Sequence, residues 1–167
     1  MSKRASPPVE PPIAPMLARL TRELPEGDYL YEPKWDGFRC LAFRDCDEVD
    51  LRSRHDRPLA RYFPEVVDAV RRVPSSRIVL DGELILVRPT GFDFAALMSR
   101  LHPAQSRVER LRREQPATYV TFDLLADGRD DLRDRPFAER RARLVALLDE
   151  DDEGGGEQSV SLAGSDH

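Results

Sequence analysis

Lysine is almost absent from this sequence: the chain has 26 basic residues, and only Lys3 and Lys34 among them are lysine. Arginine serves for ion pairs and phosphate contacts, but its guanidinium stays protonated and cannot act as an amine nucleophile. Lysine can lose its proton and attack an electrophile. The bias therefore makes Lys34, within EPKWDGFR at residues 32–39, a candidate nucleophile. A chance lysine is the alternative.

Cysteine and long apolar runs are also scarce. Cys40 and Cys46 are the only two cysteines, and their spacing matches neither CxxC nor a zinc pattern, which favours a structural or incidental role. No N-terminal run resembles a signal peptide, and no stretch is long enough to span a membrane. We therefore expect a soluble cytoplasmic protein with no membrane partner.

Charge and composition divide the chain into three parts. Residues 1–15 are rich in proline and predict a flexible lead-in, and residues 16–148 have the length and hydrophobic content of one folded domain. Residues 149–167 carry seven acidic residues and no lysine or arginine, and their glycine and serine content predicts a disordered tail. The part before this tail is nearly neutral and rich in arginine, which is compatible with nucleic-acid contact.

Hydrophobic periodicity predicts alternating strands and helices in the middle part. The predicted strands are 29–34, 38–45, 48–54, 78–87 and 117–126, and the predicted helices are 63–73, 92–101, 105–115 and 136–148. The Asp81-Gly82 pair makes 78–87 either a bent strand or a hairpin. This order predicts an α+β fold with a mainly antiparallel sheet and packed helices.

The segment around Lys34 could bring charged groups together. A free lysine titrates at about 10.4, so a nucleophilic lysine needs neighbouring cations, a metal or desolvation. The Asp36-Gly37 pair predicts a turn, which would place the side chains of Lys34 and Arg39 at the opening of the same pocket. Taken alone, the segment favours an ordinary hairpin turn with a solvated lysine.

Several segments resemble, in order, the motifs of one enzyme family. EPKWDGFR resembles motif I of the covalent nucleotidyltransferases, which are DNA ligases, RNA ligases and mRNA capping enzymes. Further resemblances to ATP-dependent DNA ligases of the bacterial C and D types lie at 12–18, 52–66, 79–86 (motif III), 121–125 (motif IIIa) and 128–144. The resemblance spans 12–148 and implies the N-terminal part of a ligase adenylation domain, with a partial ATP-grasp-like nucleotidyltransferase fold.

The resemblance also implies roles for single residues. Lys34 would attack the α-phosphate of ATP to form lysyl-AMP, with Arg39 and Arg54 holding phosphate or ribose oxygens. Glu32 would recognise the adenine amino group, and Phe122 would stack on the base. The alternatives are an edge-strand surface charge for Glu32 and a plain core phenylalanine for Phe122.

Three further positions match the motifs. Glu83 would contact the ribose and Mg²⁺, which prefers hard oxygen ligands; its alternative is a solvated hairpin carboxylate. Asp36 and Gly37 match motif I as nucleotide-binding positions, although turn formation explains much of Asp36. The implied cofactors are thus ATP and Mg²⁺.

The sequence departs from the family after motif IIIa. It contains no EG(V/L)(V/M) motif IV and no OB-fold segment, and it has no motif V KxK pair because no lysine follows Lys34. Without the motif V cations, transition-state charge loses part of its stabilisation. We therefore expect a domain truncated before motif IV, with poor or no ligase turnover alone.

Three functional hypotheses remain open at this stage. The first is a DNA ligase that seals 5′-phosphate/3′-hydroxyl nicks in repair or recombination, with nicked duplex DNA, a separate C-terminal half or other DNA-repair proteins as partners. The second is a non-catalytic fragment that binds nucleotide or DNA or complements such a half. The third is an RNA ligase or capping enzyme, against which FPE at 63–65 and DLRDRPFAERR at 131–141 argue. The arginine-rich segment 105–115 is either a solvated face with internal ion pairs or a duplex-DNA contact.

Overall fold

The computed structural model describes residues 8–17, 20–23, 26–27, 32–101, 104–149 and 160–162. Its strands are β1 (Phe38–Asp45), β2 (Glu48–Ser53), β3 (Arg77–Ile85), β4 (Val87–Arg88), β5 (Gly91–Phe92), β6 (Thr118–Asp127), β7 (Asp130–Asp131) and β8 (Val160–Leu162). Its helices are α1 (Pro64–Arg72), α2 (Phe94–Met98), α3 (Gln105–Glu114) and α4 (Phe137–Asp149), with a 3-10 turn at Ala60–Tyr62. The predicted α+β fold is confirmed.

Within the described residues, one six-stranded sheet organises the fold. The strand order is β2-β1-β3-β6-β7, every pair along it is antiparallel, and β8 lies parallel beside β6. Strands β4 and β5 form a separate two-stranded hairpin. The predicted pairing of 38–45 with 48–54 is confirmed, since Cys40 lies opposite Ser53 and Asp45 opposite Glu48.

Side chains alternate across β1, so that the sheet has two covered faces. Cys40 and Ala42 pack into the main core with α1. Leu41 and Phe43 pack on the other face with Val9, which is 2% exposed. The sequence predicts a flexible lead-in around Val9, whereas in the structure this part of the segment covers one face of the sheet.

The central strand β3 settles the alternative left open for 78–87. It runs through Asp81-Gly82 without a turn, and its register to β6 shifts at that step. A Cβ on Gly82 would lie 2.5 Å from the carbonyl oxygen of Val120, so glycine permits this close approach. The segment is therefore an irregular strand and not a hairpin, and the hairpin alternative is wrong.

Other element predictions differ in extent. The helix predicted over 92–101 is shorter in the structure and is limited to α2. Strand β5 occupies residues 91–92 at its start. After its end, the backbone N–H of Arg100 donates to the carbonyl oxygen of Leu97, three residues before it, as in a turn. Residues 32–34 are not in a strand, and 29–31 lie outside the described residues.

The C-terminal part contains one short strand. Residues 160–162 differ from the disorder expected for the tail, since their backbone pairs with Tyr119–Thr121 of β6. Pairing with a free strand edge uses main-chain groups and does not require a periodic side-chain pattern. Residues 150–159 and 163–167 lie outside the described part, and the predicted domain limits at 15/16 and 148/149 stay predictions.

Candidate active site

One cavity of about 500 Å³ contains every site residue predicted from the sequence. Its lining includes Glu32, Lys34, Asp36, Gly37, Arg39, Arg54, Glu83 and Phe122. Lys34 and Arg54 are exposed at the cavity, and Arg39, Glu83 and Phe122 are half-buried. The structure thus brings together residues up to 90 positions apart in the sequence, because β1, β3 and β6 are adjacent strands.

Gly37 places the segment that carries Lys34. The chain at this residue passes so close to β3 that a Cβ would lie 2.0 Å from the carbonyl oxygen of Leu84. Gly37 is itself the bend that leads into β1, and the described residues 32–36 before it are not in a strand, so no strand directly precedes the predicted turn at Asp36-Gly37. Gly37 is needed for close approach between backbones.

Gly37→Ala is therefore expected to displace the Lys34 segment from the cavity. A contact of 2.0 Å forces a backbone shift, because a carbonyl oxygen cannot rotate away as a flexible side chain can. We expect ATP affinity to fall by at least about tenfold, measured by calorimetric titration. Ser75→Ala, at a half-buried loop position outside the cavity, is the control. ATP affinity within twofold of the wild type would contradict this placement.

Arg39 is fixed by a buried carboxylate that sequence reasoning assigned no role. Its Nε lies 2.6 Å from Oδ1 of Asp81 and its Nη2 lies 2.8 Å from Oδ2, a two-point ion pair. The Asp81 side chain is 3% exposed. The guanidinium also lies 4.5 Å from the centre of the Phe122 ring. Asp81 thus orients the cation, and Phe122 is a cavity-lining ring rather than a plain core side chain.

Glu83 lies in an environment that favours its neutral form. Partial burial raises the pKa of Glu83 from its ordinary value of 4.5 to about 7, while the positive charge of Arg39 opposes the rise. A carboxyl with a raised pKa binds more protons in the folded state than in the unfolded state. Its contribution to stability is therefore full below pH 4.5 and is lost as the pH rises through 7.

Glu83→Gln is expected to flatten the pH dependence of stability across that window. Glutamine has the same shape and does not titrate, so the variant should lose less stability than the wild type between pH 5 and pH 7. Urea unfolding in metal-free buffer at pH 5, 6 and 7 measures this slope. Glu139→Gln, on the exposed face of α4, should keep the wild-type slope. If the free energy of unfolding changes equally with pH in Glu83→Gln and in the wild type, the raised pKa of Glu83 is contradicted.

Glu32 has a partner that the sequence analysis missed. Its Oε1 lies 3.5 Å from Nη1 of Arg141 on α4. Burial raises the pKa of Glu32, and the charge of Arg141 is the strongest opposing influence. Residues 128–144 resemble the family as a stretch, without a role for any single residue. Glu32 and Arg141 are 109 positions apart, so no sequence motif contains both members of this ion pair.

Metal ligands are sparse in the described part of the chain. No group of three or more His, Cys, Asp or Glu side chains is placed to hold a metal ion there. Of the three carboxylates that line the cavity, Glu32 is paired with Arg141, and the motif resemblance implies a metal role for Glu83 but not for Asp36; the nearby Asp81 is engaged by Arg39. One carboxylate fits Mg²⁺ only where phosphate oxygens and water complete the coordination.

The arginine-rich helix α3 has internal ion pairs. Arg110 pairs with Glu114, and Arg112 pairs with Glu109 and with Asp68 of α1. These contacts favour the solvated-face interpretation over a DNA contact. None of the described helices combines the length and apolar character needed to cross a membrane.

Comparison with known proteins gives consistent matches. The profile of the family described as ATP dependent DNA ligase domain matches residues 14–162. DNA ligase C of Mycobacterium tuberculosis is 54% identical over 138 residues, which cover 83% of this chain and 38% of that protein. The multifunctional non-homologous end joining protein LigD of Pseudomonas aeruginosa is 37% identical over 152 residues, which cover 90% and 17% of the two chains.

Solved structures match in fold. The ligase domain of M. tuberculosis LigD superposes with a TM-score of 0.58 at 24% identity, covering 78% of this chain and 38% of that one. Mycobacterial DNA ligase D complexed with ATP gives a TM-score of 0.55, also at 24% identity, with coverages of 79% and 38%. The chain spans about two fifths of the length of the mycobacterial ligase C relatives. With most of its length matched by the family profile, the chain belongs to the ATP-dependent DNA ligase domain family.

Proposed function

We propose that this chain carries the nucleotide-activating centre of an ATP-dependent DNA ligase, with Lys34 as the nucleophile. The observation that carries the proposal is the single cavity that Lys34 shares with the other predicted nucleotide-binding residues. Lys34 is the only lysine after residue 3, so no second amine in the body of the chain could take its role.

The proposed step joins the lysine amine to the α-phosphorus of ATP. The Nζ lone pair of neutral Lys34 forms a P–N bond, the bond from the α-phosphorus to the bridging oxygen breaks, and pyrophosphate leaves. The second amine proton goes to solvent. Arg39 and Arg54 line the same cavity and can hold phosphate oxygens during the transfer.

A magnesium ion, when bound with ATP, would neutralise charge on the transferring phosphate. Glu83 is the carboxylate that could contribute to holding it, together with the nucleotide phosphates and water. Phe122 and Glu32 would bind the base, the first by stacking and the second by accepting a hydrogen bond from the adenine amino group.

The complete reaction that we propose is the sealing of 5′-phosphate/3′-hydroxyl nicks in duplex DNA during repair. The names of the relatives, DNA ligase C and the end-joining protein LigD, support this substrate. The chain spans about two fifths of the length of the mycobacterial ligase C relatives, so we propose nick sealing for the whole protein and the transfer of AMP to Lys34 for this chain.

Self-adenylylation tests the proposal directly. The purified chain is incubated with α-labelled ATP and Mg²⁺, separated on a denaturing gel, and mapped by peptide mass spectrometry. Label on the peptide that contains Lys34 is the expected result. A folded chain that binds ATP without becoming labelled would instead support the non-catalytic alternative.

A further inference from the structure

We infer that Arg141 is a positioning residue that holds the Glu32 carboxylate in place to select a 6-amino purine over a 6-oxo purine. The inference rests on the proposed function, since it concerns the base of the same nucleotide. Nη1 of Arg141 lies 3.5 Å from Oε1 of Glu32 and 3.5 Å from the carbonyl oxygen of Phe122. Arg141 therefore contacts both residues that would bind the base.

The neighbouring residue gives Arg141 a firm support. Arg140 makes two hydrogen bonds to Asp123, from Nε to Oδ1 and from Nη2 to Oδ2, each 2.8 Å long. The side chains of this pair are 10% and 6% exposed. Since Asp123 directly follows Phe122 in β6, α4 is anchored to the sheet beside the base site. A buried two-point ion pair of this kind limits movement of Arg141 relative to Glu32.

The chemistry of the carboxyl explains why its orientation and charge matter. An ionised carboxylate only accepts hydrogen bonds, whereas a protonated one also donates. The amino group of adenine donates, and the 6-oxo group of inosine or guanine accepts. Burial and the charge of Asp123 favour protonation of Glu32, while Arg141 and Arg39 oppose it. Arg141 therefore favours the ionised carboxylate, and its ion pair with Glu32 positions an acceptor that matches the adenine amino group and repels a 6-oxo group.

Nucleotide selectivity in an Arg141 series tests this role. Trp35 is the only tryptophan and lines the cavity, so its fluorescence reports binding of ATP and of inosine triphosphate. We expect the wild type to prefer ATP by at least about tenfold and Arg141→Met to lose most of that preference. Arg141→Lys keeps the charge and should retain the preference within about threefold. Arg143→Met, on the same helix but paired with Asp127 and Asp130, is the matched control and should retain it fully.

A double-mutant cycle keeps the test valid even where Arg141→Met lowers stability. If Arg141 acts through Glu32, Arg141→Met should change the ATP preference no further in a Glu32→Gln background. An unchanged preference in folded Arg141→Met, or an additional loss in the Glu32→Gln background, would overturn the inference while leaving the nucleotide site standing. A wild type that binds ATP and inosine triphosphate equally would also overturn it. A wild type that binds neither nucleotide would remove the proposed function as well.

Discussion

Lys34→Arg is expected to abolish covalent labelling by ATP, with a loss of at least about a thousandfold, while ATP affinity falls by less than about tenfold. The substitution keeps the positive charge in the cavity but replaces an amine that can lose its proton by a guanidinium that cannot. Binding and chemistry are thereby separated within one variant. Labelling with α-labelled ATP and titration of Trp35 fluorescence measure the two quantities.

The sequence supplies a strict control for this result. Lys3→Arg removes the other lysine of the chain, and it should leave both labelling and affinity unchanged. The double variant has no lysine at all and should be as inactive as Lys34→Arg. Label that persists in Lys34→Arg and disappears in Lys3→Arg would show that the cavity is not the nucleotidyl-transfer centre.

Much of the fold could be predicted from the sequence because its elements carry local signals. The alternation of residues 38–45 and the helical apolar stripe of 63–73 predict β1 and α1 within one residue at each end. The structure shows where local signals end. Asp81-Gly82 suggests a turn, yet β3 continues through it because it is paired with β1 on one side and β6 on the other, and glycine fits there because β6 leaves no room for a Cβ. Tertiary contacts there override the turn signal.

In the candidate site, too, local sequence patterns predict some residues, whereas others are recognised only from tertiary contacts. Ordered motifs predict the residues that line the cavity, because each motif has its own sequence pattern. The supporting residues have no such individual pattern: Asp81 lies in motif III and Arg141 lies in the similar stretch 128–144, but the resemblance implies no role for either residue. Both are defined by ion pairs to Arg39 and Glu32 across the fold. Such pairs become visible only when strands and helices are placed together.

Arg100 has no role in the proposed chemistry. Among the substitutions proposed here, its replacement is expected to lower the free energy of unfolding most. Its side chain is 1% exposed and forms a two-point ion pair with Glu65, which is 8% exposed. It also donates to the carbonyl oxygens of Tyr62 at 2.7 Å and Gln115 at 3.0 Å. Glu65 in turn accepts from the backbone N–H of Ala117 at 3.0 Å. One ion pair thus joins α1 to the turn that follows α2 and to the residue before β6.

Arg100→Met should therefore lower the free energy of unfolding by about 3–5 kcal/mol, since it leaves a buried carboxylate without its cation. Urea unfolding followed by circular dichroism measures the change. Arg110→Met is the matched control, because Arg110 and Glu114 form an exposed pair whose loss should cost less than about 1 kcal/mol.

The double variant Arg100→Met/Glu65→Met separates the charge from the packing. Removing both charges leaves no buried ion, so the double variant should be more stable than Arg100→Met alone, despite the lost hydrogen bond to Ala117. A double variant that is less stable than the single one would mean that the hydrogen bonds of Glu65 outweigh the uncompensated charge. A loss below about 1 kcal/mol in Arg100→Met would contradict the burial of this pair.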